Sequence, residues 1–369
     1  MASVSEAQRV VVVGGGPAGA AVAITLAQRG LKPIVLERRR GPEAKVGECL
    51  PPGAGPILKR LGLSDSLQAD GHLPSYGNRS VWGTTVPVER DFIFGTEGHG
   101  WQLDRLKFEA ALAHRALAEG ADWRYGSRLV QCSWQRGCWA LNVRTAFGHQ
   151  NLEADFLVDA TGRPSGVARQ LGARQIREDR LVGVALPLQS ARGEGIKECL
   201  TLVEAMPNGW WYSARLPDEK LMVVYVTDSD LLDQWTRRTD GWLALLGETS
   251  ETMRRVSAGD YLPVSKPRLL AAHGARLDLL AGERWLAVGD AATAFDPLSS
   301  YGISAALGSG FYAANAIMDF FAGSDSSLNV YGRMIETAYA QYLLMHDEHY
   351  ALERRWPDEA FWRRRQEPR

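Results

Sequence analysis

Two groups of residues in this 369-residue chain have the types and spacing to hold the two ends of one nucleotide cofactor. The first is Gly14-Gly15-Gly16-Pro17-Ala18-Gly19, with Glu37 and Arg38 further on. Gly14 permits a tight turn and Gly16 lets a pyrophosphate approach the main chain. Gly19 allows close packing of a helix that opens at Pro17 and Ala18, whose free N–H groups attract phosphate. Glu37 lies about 20 residues past the glycines, where a carboxylate takes ribose hydroxyls. The second group is Gly289-Asp290, followed by Pro297, Ser300, Gly302 and Ile303. Asp290 can accept hydrogen bonds from ribityl hydroxyls, and Pro297 can wall a ring. N–H groups of a helix opening near Gly302 would face N1 and the C2 carbonyl of a flavin, where negative charge develops on reduction. Two separate anchors on one cofactor point to FAD.

The elements around these residues are the ones such a site needs. Val10-Val11-Val12-Val13 is an apolar, β-branched run suited to a strand buried on both faces. A helix over residues 20–29 stops at Gly30, and residues 33–36 form a second parallel strand ending in Glu37. Residues 284–288 make a strand running into Gly289, 303–321 an apolar helix, and 156–162 a third strand entering a glycine turn at the same sheet edge. The expected fold class is α/β: a Rossmann-like FAD-binding domain, which resembles the glutathione reductase/p-hydroxybenzoate hydroxylase type, with an inserted, mainly antiparallel β-sheet substrate domain. Residues 1–70, 101–180 and 273–340 fall to the FAD-binding domain, 71–100 and 181–272 to the substrate domain, and 341–369 to a C-terminal helical tail. In the substrate domain, residues 221–227 read as a strand with 209–216 as its antiparallel neighbour. That sheet can turn Trp210, Trp211 and Tyr212 toward a substrate, or they can be core, the commoner fate of strand aromatics.

Spread along most of the chain, these pieces resemble the flavoprotein monooxygenase superfamily of the p-hydroxybenzoate hydroxylase fold. Gly47-Glu48-Cys49-Leu50-Pro51-Pro52, Trp101-Gln102-Leu103-Asp104-Arg105 and Gly209-Trp210-Trp211-Tyr212 resemble the branch holding flavin-dependent halogenases and LodB/GoxB-type flavoproteins. The resemblance implies that Gln102 and Arg105 lie by the cofactor, although Arg105 also reads as a surface charge on a helix over 104–118. Halogenases carry a lysine in a segment that would align near His72-Leu73-Pro74-Ser75, and there is no lysine between Lys59 and Lys107. Their Pro-Leu-Glu-Ser-Thr-Gly glutamate falls on Ser299, and both tryptophans of their WxWxIP motif are replaced in Tyr212-Ser213-Ala214-Arg215-Leu216-Pro217. What remains resembles the LodB/GoxB group, which implies tryptophan hydroxylation in the precursor of a quinone-cofactor amino-acid oxidase, during cysteine tryptophylquinone formation. The implied chemistry is a flavin C4a-hydroperoxide formed from O2 and an external reductant or flavin reductase, with the protein excluding water. Two other readings stay open: hydroxylation of a small aromatic metabolite, and a flavin-containing partner that only holds the oxidase precursor.

No acid or base stands out. Glu48, His72, His99 and Asp296 are polar candidates near presumed cofactor segments, each also readable as solvated or structurally satisfied. A net charge of −1 gives no electrostatic case for nucleic acid or an anionic membrane. The polar start, residues 1–7, reads as no signal peptide, and the 303–321 run is interrupted by Gly308, Ser309, Gly310, Asn315 and Asp319, so no membrane span and a cytoplasmic location are expected. Four cysteines without CxxC spacing fit reduced thiols. No metal is expected: among seven histidines only His346 and His349 share a helix turn, and with Asp347 and Glu348 beside them they read as a solvated face. Residues 350–369 mix Trp356, Phe361 and Trp362 with arginines, suiting either a protein interface or a terminal helix packed on the chain's own body with its arginines in water.

Overall fold

Residues 8–367 are described by a computed structural model; residues 1–7, read above as a polar start, and the last two residues of the tail lie outside it. The organising element is a six-stranded sheet in the spatial order Ala281–Gly282, Trp285–Ala287, Phe156–Asp159, Val10–Val13, Ile34–Glu37, Asp122–Tyr125. Every pairing is parallel except the first. All four valines of Val10–Val13 are buried, as a central parallel strand covered on both faces requires. The Pro17–Gln28 helix follows with Pro at its first turn and no side-chain cap at Gly16, so its leading N–H groups are left for a ligand. It ends at Gly30, whose φ of +89° is the left-handed stop foreseen there.

The Gly302–Phe321 helix packs along the Pro17–Gln28 helix at a close approach: a Cβ on Gly310 would sit 2.3 Å from the carbonyl oxygen of Ala18. The two segments read above as cofactor anchors, nearly three hundred positions apart, are thereby locked side by side. A three-stranded antiparallel meander, Arg128–Gln135, Cys138–Thr145 and Gly148–Ala154, lies between Asp122–Tyr125 and Phe156–Asp159 in the chain.

A second, eight-stranded sheet is built from Gly77–Val81 and Val88–Asp91 together with strands between Leu181 and Ala271. Gly209–Leu216 and Lys220–Asp228 are its antiparallel neighbours, with Trp210 opposite Val226 and Tyr212 opposite Val224. It is antiparallel throughout except where Leu200–Met206 runs parallel to Gly77–Val81. The architecture is thus mixed α/β, a parallel cofactor sheet joined to a mainly antiparallel one.

The expected break between residues 340 and 341 falls inside one continuous helix, Ser327–Ala351. Beyond it, Ala360–Gln366 folds back so that Phe361 and Trp362 are fully buried, with the Trp362 indole N–H donating to Met206 O at 2.9 Å. The tail packs on the chain's own body. Its arginines are not simply solvated: Arg364 and Arg365 pair with Asp228, and Arg364 also with Asp230. Among the described residues no helix is long and apolar enough to cross a membrane, and no cluster of metal-ligating side chains occurs.

Candidate active site

One cavity of ≈ 770 Å³ opens where the parallel sheet's carboxyl edge meets the antiparallel sheet. Clefts of this size and placement hold cofactors and their substrates. Gly14, Gly16, Pro17, Ala18, Glu37 and Arg38 line one end; Asp290, Pro297, Ser300, Gly302 and Ile303 line the middle.

The glycine loop is shaped by its contacts. Gly14 has φ +113°, and a Cβ there would stand 2.1 Å from Ala160 O; at Gly16 a Cβ would meet nothing within 4 Å, which leaves room for a phosphate against the main chain. Glu37 is largely buried and accepts from the N–H groups of Gly15 and Arg39, both at 2.8 Å, which fixes the carboxylate at the cavity wall. Gly19 and Gly289 do not line the cavity. They permit the packing behind it: a Cβ on Gly19 would lie 2.0 Å from Gly14 O, and one on Gly289 2.7 Å from the Ala18 Cβ.

Around the phosphate end the wall carries cations that the sequence reading passed over, Arg39, Lys45 and Arg128 beside Arg38 and Arg105. They suit a diphosphate. The signal was present as the Arg38-Arg39-Arg40 run after Glu37. Arg163 was also missed. It reaches Asp290 at 3.6 Å and donates to the carbonyls of His273 and Phe295. It is presented by the turn after Phe156–Asp159, where Asp159 accepts from the N–H groups of Thr161, Val167 and Ala168. Asp290 is enclosed by protein yet keeps 36 % of its side-chain surface facing the open cavity, and burial raises its pKa against the pull of Arg163.

Arg105 is a cavity residue and not a surface charge. Its guanidinium donates to Gly47 O at 2.6 Å and pairs with Glu109, which also holds Lys45. This clamp pins residues 45–47 and places Glu48 in the wall. Glu48 is 1 % exposed, and neither carboxylate oxygen has a well-formed hydrogen-bond partner. Burial pushes its pKa up to about 7, only partly countered by Arg105 and by nearby main-chain N–H groups. The Tyr212 hydroxyl is likewise buried without a partner, and burial, then Glu48, holds its pKa well above the ordinary phenol value. Unsatisfied buried polar groups aimed into a cavity are expected where a ligand completes them.

Trp210 and Tyr212 share one face of the Gly209–Leu216 strand and line the cavity with Val224, Val226 and Leu270. Trp211, one residue out of phase, points the other way. It packs against Tyr225 and Trp242 in a separate core, so it is not a substrate-side residue. The placement of Gln102 by the cofactor needs correction, and His72 and His99 take the structurally satisfied and solvated readings instead of lining the cavity. Gln102 is fully buried away from the cavity, donating to Thr201 Oγ1 at 2.8 Å and Ser75 Oγ at 3.3 Å, because its strand is the middle one of a small sheet with Cys49–Leu50 and Leu73–Ser75. His72 is buried and accepts at Nδ1 from the Asp104 N–H at 3.0 Å, bracing the start of the Arg105–Ala118 helix rather than touching the cavity. His99 is exposed in a loop.

Asp296 does line the cavity, and it is fully buried. Oδ1 caps the Pro297–Ser299 turn through the Leu298 N–H, while Oδ2 accepts from Tyr350 at 2.8 Å and meets His346 Nε2 at 3.2 Å. Burial alone would raise its pKa; the hydrogen bond and charge of His346, then the Leu298 N–H and Tyr350, hold it below the usual carboxylate range. His346 is therefore not on a solvated face. Tyr342, His346 and Tyr350, four residues apart in turn, are the buried stripe of their helix, a spacing the sequence displays.

The glycine cradle, the cation-lined end and the paired anchors fit an FAD, and the comparisons with known proteins agree. A family model described as an FAD binding domain matches residues 7–341. The chain belongs to that FAD-binding flavoprotein family. It is an FAD-dependent oxidoreductase. It is 30 % identical to LodB of Marinomonas mediterranea, named as a putative FAD-dependent oxidoreductase, over 98 % of this chain and 97 % of that protein. Among solved structures, CmlS, a flavin-dependent halogenase, superposes with a TM-score of 0.87 at 27 % identity, covering 99 % of this chain and 68 % of that one. The peptidyl tryptophan dihydroxylase QhpG, essential for tryptophylquinone cofactor biogenesis, superposes with a TM-score of 0.79 at 25 % identity, covering 98 % and 79 %.

Proposed function

We propose that this flavoprotein is a monooxygenase that hydroxylates a tryptophan side chain in a partner oxidase precursor, as a step toward a cysteine tryptophylquinone. The observation that carries the reading is the fully buried Glu48 carboxyl, steadied by nearby main-chain N–H groups, in the same cavity wall as the partnerless Tyr212 hydroxyl and the apolar Trp210, Val224, Val226 and Leu270. An indole needs such a wall: one polar N–H to satisfy, and a flat apolar face to bury. With its pKa near 7, Glu48 is poised to exchange a proton at neutral pH.

The flavin, when bound, supplies oxygen activation. The chain supplies the rest. Glu48 accepts a hydrogen bond from the indole N–H, takes that proton as a ring carbon is attacked, and returns it to the nitrogen as that carbon loses its own proton. Tyr212 and Trp210 bound the ring, and Val224, Val226 and Leu270 keep water out. The full-length likeness to LodB, and the likeness to QhpG with its peptidyl tryptophan substrate, support a protein-borne tryptophan as the substrate.

Halogenation is the second reading, favoured by the likeness to CmlS. The absence of a lysine between Lys59 and Lys107, and Ser299 in place of a glutamate, weigh against it. Co-expression with a candidate oxidase precursor, followed by peptide mass spectrometry, tests the proposal. Added oxygen on a tryptophan only when this flavoprotein is present supports it. An unmodified precursor, with FAD loaded and a reductant supplied, overturns it in favour of a small aromatic substrate or a holding role.

A further inference from the structure

Monooxygenation balances as RH + O2 + two electrons + two protons giving ROH + H2O, with the electrons supplied by the external reductant. A cavity that excludes water must still receive those protons. One chain of side chains links its wall to the surface. Asp296 is fully buried at the wall; His346, almost as buried, meets Asp296 Oδ2 through Nε2 at 3.2 Å and Asp347 Oδ1 through Nδ1 at 2.9 Å; and Asp347 keeps 45 % of its side chain in solvent. Both ring nitrogens face carboxylates, which only accept when ionised, so the geometry is that of a doubly protonated imidazolium. On the inner side, Tyr350 donates to the same Asp296 oxygen at 2.8 Å and accepts from the indole N–H of Trp210, itself a cavity residue, at 3.0 Å.

We propose that Asp347, His346 and Asp296 form the proton passage from the surface into the flavin cavity, with Tyr350 as the group that fixes the inner carboxylate. In each delivery the Nε2–H bond of His346 breaks as an O–H bond forms on Asp296 Oδ2, and that O–H bond breaks in turn as the proton is taken up in the cavity by the O2-derived oxygen that leaves as water. The imidazole is left neutral with its proton on Nδ1, and a ring flip lets the bare nitrogen take a proton from solvent on the Asp347 side. Asp296 is the member at the cavity wall; His346 and Asp347 act through it. Titratable or charged groups facing this chain include Asp179, held by the N–H groups of Leu181 and Gly274; Arg365, over the Tyr350 ring at 5.3 Å; His349; Tyr339; and Tyr342, whose hydroxyl accepts from the Asp296 N–H. The passage serves a protein-borne and a small aromatic substrate alike, so it stands apart from the choice between them.

Two readouts test it in the FAD-loaded protein. Nitrogen-15 NMR of histidine-labelled protein should find His346 doubly protonated above the ordinary histidine range of about 6.5, and Asp347→Asn should lower its titration. After chemical reduction, the proton-consuming reoxidation by O2 should slow by about tenfold or more in His346→Ala, with FAD affinity kept and with free imidazole restoring the rate. Asp347→Asn, at the surface, should shift the pH profile of that step even if His346→Ala does not fold. A His346 that is singly protonated and insensitive to Asp347, an unshifted profile in Asp347→Asn, or a His346→Ala protein that reoxidises at the wild-type rate or ignores imidazole would overturn the passage.

Discussion

The cofactor end and the substrate end of the one cavity are built by opposite strategies. At the cofactor end, main-chain shape makes the room, through Gly14 at φ +113°, the open Gly16 and the uncapped start of the Pro17–Gln28 helix, and basic side chains only surround it. At the end proposed for the substrate, the wall is made by side chains of a sheet whose backbone is fully used in strand pairing. A ligand held by backbone leaves a strict residue pattern, since only glycine fits. A ligand held by side chains of a sheet leaves alternation, which core packing leaves as well.

This contrast predicts how each end fails. Gly14→Val forces a side chain into Ala160 O and a backbone conformation closed to β-branched residues, so FAD binding should fall by about a thousandfold or more, read by fluorescence titration. A variant that still binds FAD tightly would break the assignment of recognition to backbone shape. Glu48→Gln should leave FAD affinity intact and cut product formation by about 10²-fold; a matching loss of FAD binding would place Glu48 at the wrong end. The same residue gives a pH effect with a definite sign. Its folded pKa, about 7, lies above its ordinary 4.5, so the folded state holds the extra proton, and its contribution to stability is present below pH 4.5 and is lost as pH rises through 7. About 2.5 pKa units correspond to about 3 kcal/mol, and Glu48→Gln should remove that part of the pH dependence in denaturant titrations of the FAD-free protein. The smallest effect separates neighbours on one strand. Trp211→Phe should cost about 2 kcal/mol of stability without changing product yield per folded molecule, whereas Tyr212→Phe should leave stability nearly unchanged and lower the yield.

The same contrast explains what the sequence made legible. That Gly14, Gly16, Glu37, Asp290 and Gly302 belong at one cavity was readable because each position is set by a local turn, strand end or helix start. Arg163 was not, since its role depends on a turn capped by Asp159 and on Asp290, over a hundred residues away in the chain. Gln102 was placed by the cofactor through the family resemblance and His72 was a candidate only because its segment lies near presumed cofactor segments; the pairing of three short strands and the Asp104 N–H bond to His72 show both engaged elsewhere. For Trp210, Trp211 and Tyr212 the strand was readable but not which face meets the cavity, because both faces of that sheet are buried. His346 was masked by the acidic neighbours that, in the fold, include its partner Asp347.

The most direct test of the central claim is a turnover assay with purified FAD-loaded protein, a flavin reductant and O2, offered a tryptophan-containing segment of the partner precursor in the presence of chloride and bromide. The account predicts oxygen added to the tryptophan, no halogen in the product, and loss of the product with Glu48→Gln. A halogenated product, or oxidation of a free small aromatic while the precursor segment is untouched, would contradict it.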